Sequence, residues 1–158
     1  MSLHYLIGDA TKPCVFPAII AHITNDEGGW GKGFVLALEA AFPGVRARWK
    51  RINQTLGHFW LDEEGAGVGF AHICAQSGYL SVYNPEPLNY LVLESGLAWL
   101  GHRVWQMNQK DPRYPISVHM PRIGTGLAGG RWETIEPFIV KELVGRGVEV
   151  YVYDLEKK

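Results

Sequence analysis

No stretch limits what this chain can fold into more than Ile116-Ser-Val-His-Met-Pro-Arg-Ile-Gly-Thr-Gly-Leu-Ala-Gly-Gly130, where an apolar run passes into a glycine-rich loop and then a helix starting near Trp132. A strand, a loop of exposed amides and a helix N-terminus in succession form an anion cradle. Glycine permits positive φ and close backbone approach, so the N–H groups of such a loop can converge on phosphate oxygens. Gly124-Thr-Gly-Leu-Ala-Gly129 also satisfies the G-x-G-x-x-G pattern of nicotinamide-dinucleotide-binding folds. Its position argues against that reading. Such a fingerprint opens its domain and leads to an acidic residue about 20 positions on, whereas only the apolar run Val148 to Tyr153 follows here.

The rest of the chain alternates strand and helix patterns. Leu3 to Ile7 reads as a strand ended by Gly8-Asp9, and Ala18 to Thr24 as a strand buried on both faces. A second glycine-rich loop, Asn25-Asp-Glu-Gly-Gly-Trp-Gly-Lys-Gly33, precedes a helix over Phe34 to Phe42. Pro43 starts a second helix with Val45, Trp49 and Ile52 on its apolar face. His58 to Leu61 and Val68 to Cys74 read as strands around a hairpin, Asp62 to Gly65, whose acidic residues are expected in solvent. Ser77 to Asn89 has no period and the length of a functional loop. Leu88, Leu91, Val92, Leu97, Leu100, Val104 and Trp105 form the expected buried stripe of a long helix. Ile116 to Met120 is the strand before the opening motif, Trp132 to Arg146 a last helix, and Val148 to Tyr153 a last strand. The pattern predicts one domain over residues 1–158, a three-layer α/β/α sandwich with a mixed central sheet.

Composition narrows the functional classes. With 15 Lys and Arg against 16 Asp and Glu, net charge −1, no bulk grip on nucleic acid is expected. Apolar stretches are broken too early to span a membrane. Cys14 and Cys74 make neither a metal spacing nor a disulfide framework, and Met1 to Tyr5 lacks the profile of a signal peptide, so the expected compartment is the cytoplasm. His22, His72 and His119 lie inside apolar runs with no metal-site spacing and are expected in the core, with no metal and no cofactor.

Four motifs in register carry a resemblance: Gly8-Asp9-Ala10-Thr11, the strand end Ile20-Ala-His-Ile-Thr-Asn25, Gly28-Gly-Trp-Gly-Lys-Gly33 and Pro121-Arg-Ile-Gly-Thr-Gly126. Over nearly its whole length the chain resembles the macrodomain family. The similarity is greatest to the branch of a chromatin-remodelling helicase's macrodomain and, more distantly, to terminal ADP-ribose protein glycohydrolase. The resemblance implies ADP-ribose as ligand or product, bound at the C-terminal edge of the sheet. Asp9 is an acceptor suited to the adenine amine, with the Ala10 amide beside it, or else caps a turn. Tyr153 either offers a ring face to adenine, as the family does at the matching place, or is a core tyrosine. Pro121, Arg122, Ile123, Gly124, Thr125, Gly126, Leu127, Ala128 and Gly129 are expected around the diphosphate and distal ribose. Asn25, Gly29, Trp30, Gly31, Lys32 and Gly33 are expected to close from the opposite side.

Activity is the less constrained part, since macrodomains include readers that only bind and enzymes that release ADP-ribose. The glycohydrolase relies on a lysine after the central strand and an aspartate beyond its Gly-x-Gly-Leu, where this chain has Gln76 and Ala128; a lysine-dependent mechanism does not transfer. The residues left for chemistry are Asn25, Asp26 and Glu27: the Asp26 carboxylate first, with Glu27 as its fallback, can orient or deprotonate a water or ribose hydroxyl, or both are ordinary loop acids. A hydrolase of an ADP-ribosyl linkage is the expectation. A non-catalytic ADP-ribose or poly(ADP-ribose) reader and a Rossmann-type NAD-binding module are the alternatives.

Overall fold

A computed structural model describes residues 2–63 and 67–156. Among these, six strands form one sheet: β1 (Leu3–Ile7), β2 (Ala18–Asn25), β3 (Phe59–Asp62), β4 (Val68–Gln76), β5 (Ser117–Met120) and β6 (Val150–Asp154). Their order is β1-β6-β5-β2-β4-β3. All neighbours are parallel except β3, which pairs antiparallel with β4 at one edge. The sheet is therefore mixed, as the sequence predicts.

Strand alternation builds the two cores. On β2, Ile19 and Ala21 face one side and join Leu93, Leu97, Leu100 and Val104 of α3 (Tyr90–Lys110) and Ile135 and Ile139 of α4 (Trp132–Glu142). Ile20 faces the other side, with Val35 and Leu38 of α1 (Phe34–Ala41) and Val45 and Trp49 of α2 (Val45–Trp49). Helices on both faces of a buried sheet make three layers.

Three expectations change. The buried stripe of α3 is Leu93, Leu97, Leu100 and Val104, while Leu91 and Trp105 are exposed, because the spacing of four, three and four turns both away from the sheet. The last helix ends at Glu142, and a short 3-10 turn (Val144–Arg146) with Gly147 at φ +83° carries the chain into β6. Asp62 is not in solvent: its side chain is 1% exposed and accepts from Arg48 Nε at 2.7 Å. The expected hairpin's Glu64 and Gly65 lie outside the described residues.

Glycine fixes the close approach of α3 to α4. A Cβ on Gly101 would overlap the Glu142 carbonyl oxygen and come within 2.9 Å of Arg146 Cδ. Gly101→Ala gains about 1 kcal/mol of helix propensity. It also overpacks a backbone atom that cannot rotate away, at the upper end of the usual 1–3 kcal/mol or somewhat above it. A net loss of about 2 kcal/mol is expected, read as a lower denaturant midpoint with an unchanged slope.

Candidate functional site

Because β1, β6, β5, β2 and β4 run parallel, their C-terminal ends and the loops after them share one edge. The chain leaves β2 toward β4 and β5 toward β6, so the connections diverge between β2 and β5. Open α/β sheets bind ligands at such a switch point. The loops flanking it are the two glycine-rich stretches, residues 26–33 and 121–131.

In the second loop, turn bonds run from Thr125 N to Arg122 O, Gly129 N to Gly126 O and Gly130 N to Gly124 O. The amides of Gly124, Gly126, Leu127 and Ala128 have no acceptor among the described residues. The glycines divide into two kinds. Gly124 has φ +78°, and a Cβ there would lie 3.0 Å from both Ile135 Cδ1 and Leu88 Cδ2; one on Gly129 would lie 2.8 Å from Pro85 O. These serve packing against α4 and the β4–α3 loop. A Cβ on Gly126 would meet nothing within 4 Å, so this position is open to a ligand. Ile123 and Ala128 are buried in the core and present only backbone to the loop.

The first loop is held from below. Asn25 Oδ1 accepts from the amides of Glu27 (3.1 Å) and Gly29 (2.9 Å), so the Gly29 amide is not available to a phosphate. Trp30 is 3% exposed, packed against Trp49 with ring centroids 4.7 Å apart. Its side chain anchors the loop from inside and does not face the crevice. The amides of Trp30, Gly31, Lys32 and Gly33 have no acceptor among the described residues, and α1 starts from Gly33 without a side-chain cap. A Cβ on Gly31 would meet nothing within 4 Å, and one on Gly33 would lie 3.3 Å from Leu127 Cδ1. The two loops thus touch above the switch point, each with a row of amides and one open glycine. Lys32 is exposed beside them.

The other expected residues take different places. Asp9 Oδ1 accepts from Thr11 N (2.8 Å) and Thr11 Oγ1 (2.7 Å), a local turn cap. Oδ2 makes no hydrogen bond among the described residues, and Ala10 is buried behind it. Tyr153 is 5% exposed; its hydroxyl accepts from the Cys14 amide and bonds His119 Nδ1 at 2.8 Å. It is a buried post under the β1–β2 loop and not an open platform, and that burial raises its pKa. Arg122 is drawn away from the crevice by a two-pronged pair with Asp154 (2.8 and 3.0 Å), lying over the rings of Tyr5 and Trp132. That pairing raises the guanidinium pKa further. Pro121 and Thr125 shape the turn, Thr125 Oγ1 donating to Arg122 O.

Asp26, the leading carboxylate in the sequence, is a clasp. Its Oδ1 accepts from Gly78 N at 2.9 Å and its Oδ2 from Ser77 Oγ at 3.2 Å, tying the β2–α1 loop to the β4–α3 loop. Gln76 Nε2 donates to Gly78 O at 3.1 Å and supports the same joint. The Glu27 carboxylate is exposed and makes no hydrogen bond or ion pair among the described residues. Tyr79, which no sequence motif singles out, lies over Gly29. The sequence marks its loop as functional by length, but not the residue.

No protein-family model matches the chain. A curated mouse relative, chromodomain-helicase-DNA-binding protein 1-like, is 31% identical over 96% of this chain, which spans only 18% of that protein's length. The structure of a macrodomain protein from Streptomyces coelicolor is 36% identical, covers 97% of this chain and 99% of its own, and superposes with a TM-score of 0.76. Thermosipho africanus DarTG, solved in complex with ADP-ribose, shares the fold at 20% identity, covering 89% of this chain and 39% of its own, with a TM-score of 0.62. Identity at that level to the Streptomyces protein over almost all of both chains, on the same mixed sheet, means that the chain belongs to the macrodomain family.

Proposed function

We propose that the chain binds ADP-ribose across the C-terminal edge of its sheet and releases it from an ADP-ribosyl linkage. The observation that carries the binding reading is the pair of touching loops whose amides, from Trp30 to Gly33 and at Gly124 and Gly126 to Ala128, lack acceptors among the described residues. Several N–H donors beside a helix N-terminus are what a diphosphate needs. The ADP-ribose held by the DarTG relative supports the same ligand. Asp9 Oδ2 and the Ala10 amide suit the adenine edge. Calorimetry with ADP-ribose and NAD tests this reading: measurable binding of ADP-ribose, well above that of NAD, is expected, and the reverse preference would favour a dinucleotide module.

For hydrolysis the ranking of carboxylates changes. Asp26 uses both oxygens to hold Ser77 and Gly78, whereas Glu27 keeps its carboxylate available at the loop's mouth. A general base needs a group able to reach a water. Glu27→Gln is expected to lower single-turnover release by about 10²-fold or more while the Kd for ADP-ribose changes only a few-fold. Asp26→Ala is expected to act on affinity, by loosening the joint. The measurement uses a panel of ADP-ribosylated substrates differing in linkage. Release unaffected by Glu27→Gln would place the chemistry elsewhere, and no release on any linkage would leave a reader.

A further inference from the structure

The Tyr79 side chain crosses from the β4–α3 loop onto the β2–α1 loop. A Cβ on Gly29 would lie 2.5 Å from the Tyr79 hydroxyl oxygen, 3.0 Å from its Cε1 and 2.7 Å from Asn25 Nδ2. Gly29 does not have a positive φ, so glycine there provides clearance beneath the ring rather than an unusual backbone. The hydroxyl and the amide nitrogen both flank this one point, no more than about 5 Å apart. Neither is engaged among the described residues, since Asn25 bonds its loop through Oδ1 alone.

The placement of Tyr79 is built, although the residue is 53% exposed. Asn84 Nδ2 donates to the carbonyls of Tyr79 (3.1 Å) and Ser77 (2.9 Å), and the neighbouring Gly78 amide is held by Asp26. A phenol hydroxyl both donates and accepts, and an amide NH₂ donates. Two neutral groups at this separation suit the vicinal hydroxyls of a sugar, while the glycine-loop amides suit phosphate.

We infer that the Tyr79 hydroxyl, beside Asn25 Nδ2, is a further positioning group for the distal ribose of bound ADP-ribose, and that Gly29 is glycine to admit it. The inference rests on the ADP-ribose reading of the site. It is tested by calorimetry of wild type, Tyr79→Phe and Gly29→Ala with ADP-ribose and with ADP, which lacks the distal ribose. Tyr79→Phe is expected to weaken ADP-ribose about 3–10-fold, the worth of one neutral hydrogen bond, and to leave ADP unchanged. Gly29→Ala displaces the ring and should produce at least the same selective loss. Wild-type affinity of Tyr79→Phe for ADP-ribose, or equal losses for both ligands, would overturn the assignment and leave the reading of the site standing. A wild-type chain that does not bind ADP-ribose would overturn both.

Discussion

Gly126→Glu is expected to abolish ADP-ribose binding while the protein stays folded. A side chain at this position projects into open space, so no core atom has to move. The φ of Gly126 is not positive, and the backbone accepts an L-residue. What the glutamate meets is the region where the neighbouring amides would hold the diphosphate. A carboxylate about 4 Å from one phosphate charge, at an effective dielectric constant of about 20, costs roughly 4 kcal/mol. That is about 10³ in Kd before any steric term. Gly126→Gln separates charge from bulk, because it fills the same space without like-charge repulsion, and should retain more affinity than the glutamate. Calorimetry with ADP-ribose, alongside thermal melts of each variant, makes the comparison. Undiminished affinity of the glutamate variant would remove the second loop from the phosphate site.

Stability is expected to fall steeply in mild acid because three histidines are buried in the neutral form. His22 and His72 share a 2.6 Å hydrogen bond in the core under Trp30 and Trp60, and His22 Nδ1 and His72 Nε2 are buried without partners among the described residues. Burial pushes the pKa of His22 well down and that of His72 to about 3, with the neighbouring imidazole and Arg48 respectively adding to the effect. His119, between Ser117 and Tyr153, is lowered to about 4 by burial. The unfolded chain protonates these residues near pH 6.5, so below that pH it binds more protons than the folded chain. Each histidine then removes about 1.4 kcal/mol per pH unit. The contributions are complete above pH 6.5 and disappear as pH falls toward the folded values. Glu39 and Glu149, whose pKa values are lowered by hydrogen bonds in the fold despite opposing desolvation, act in the same direction at still lower pH. With about 4 kcal/mol per pH unit at the steepest, a domain of ordinary stability unfolds before pH 4. Urea melts between pH 7.5 and 4.5 test this, and a midpoint flat across that range would show that the histidines are not buried neutral.

Local chemistry made much of the fold legible. The both-faces apolar run Ala18 to Thr24 could only be a central strand, and β2 is the strand between β5 and β4. The glycine loops announced themselves because few residues other than glycine suit a positive φ such as that of Gly124. Whether a glycine faces ligand or neighbour depends on what stands opposite. Gly124 and Gly129 turned out to be packed against Leu88, Ile135 and Pro85 from distant parts of the chain, and within the two glycine loops only Gly31 and Gly126 face open space. The carboxylates show the same limit. Asp26 and Glu27 are adjacent, and the sequence favours Asp26, yet a contact 52 residues away converts Asp26 into a clasp and leaves Glu27 available. Tyr153 and Trp30 went inward and Arg122 sideways for the same reason. Hydrophobic periodicity and backbone propensity are local and can be read along a chain, whereas the engagement of a side chain is decided by partners that only the folded sheet brings within hydrogen-bond distance.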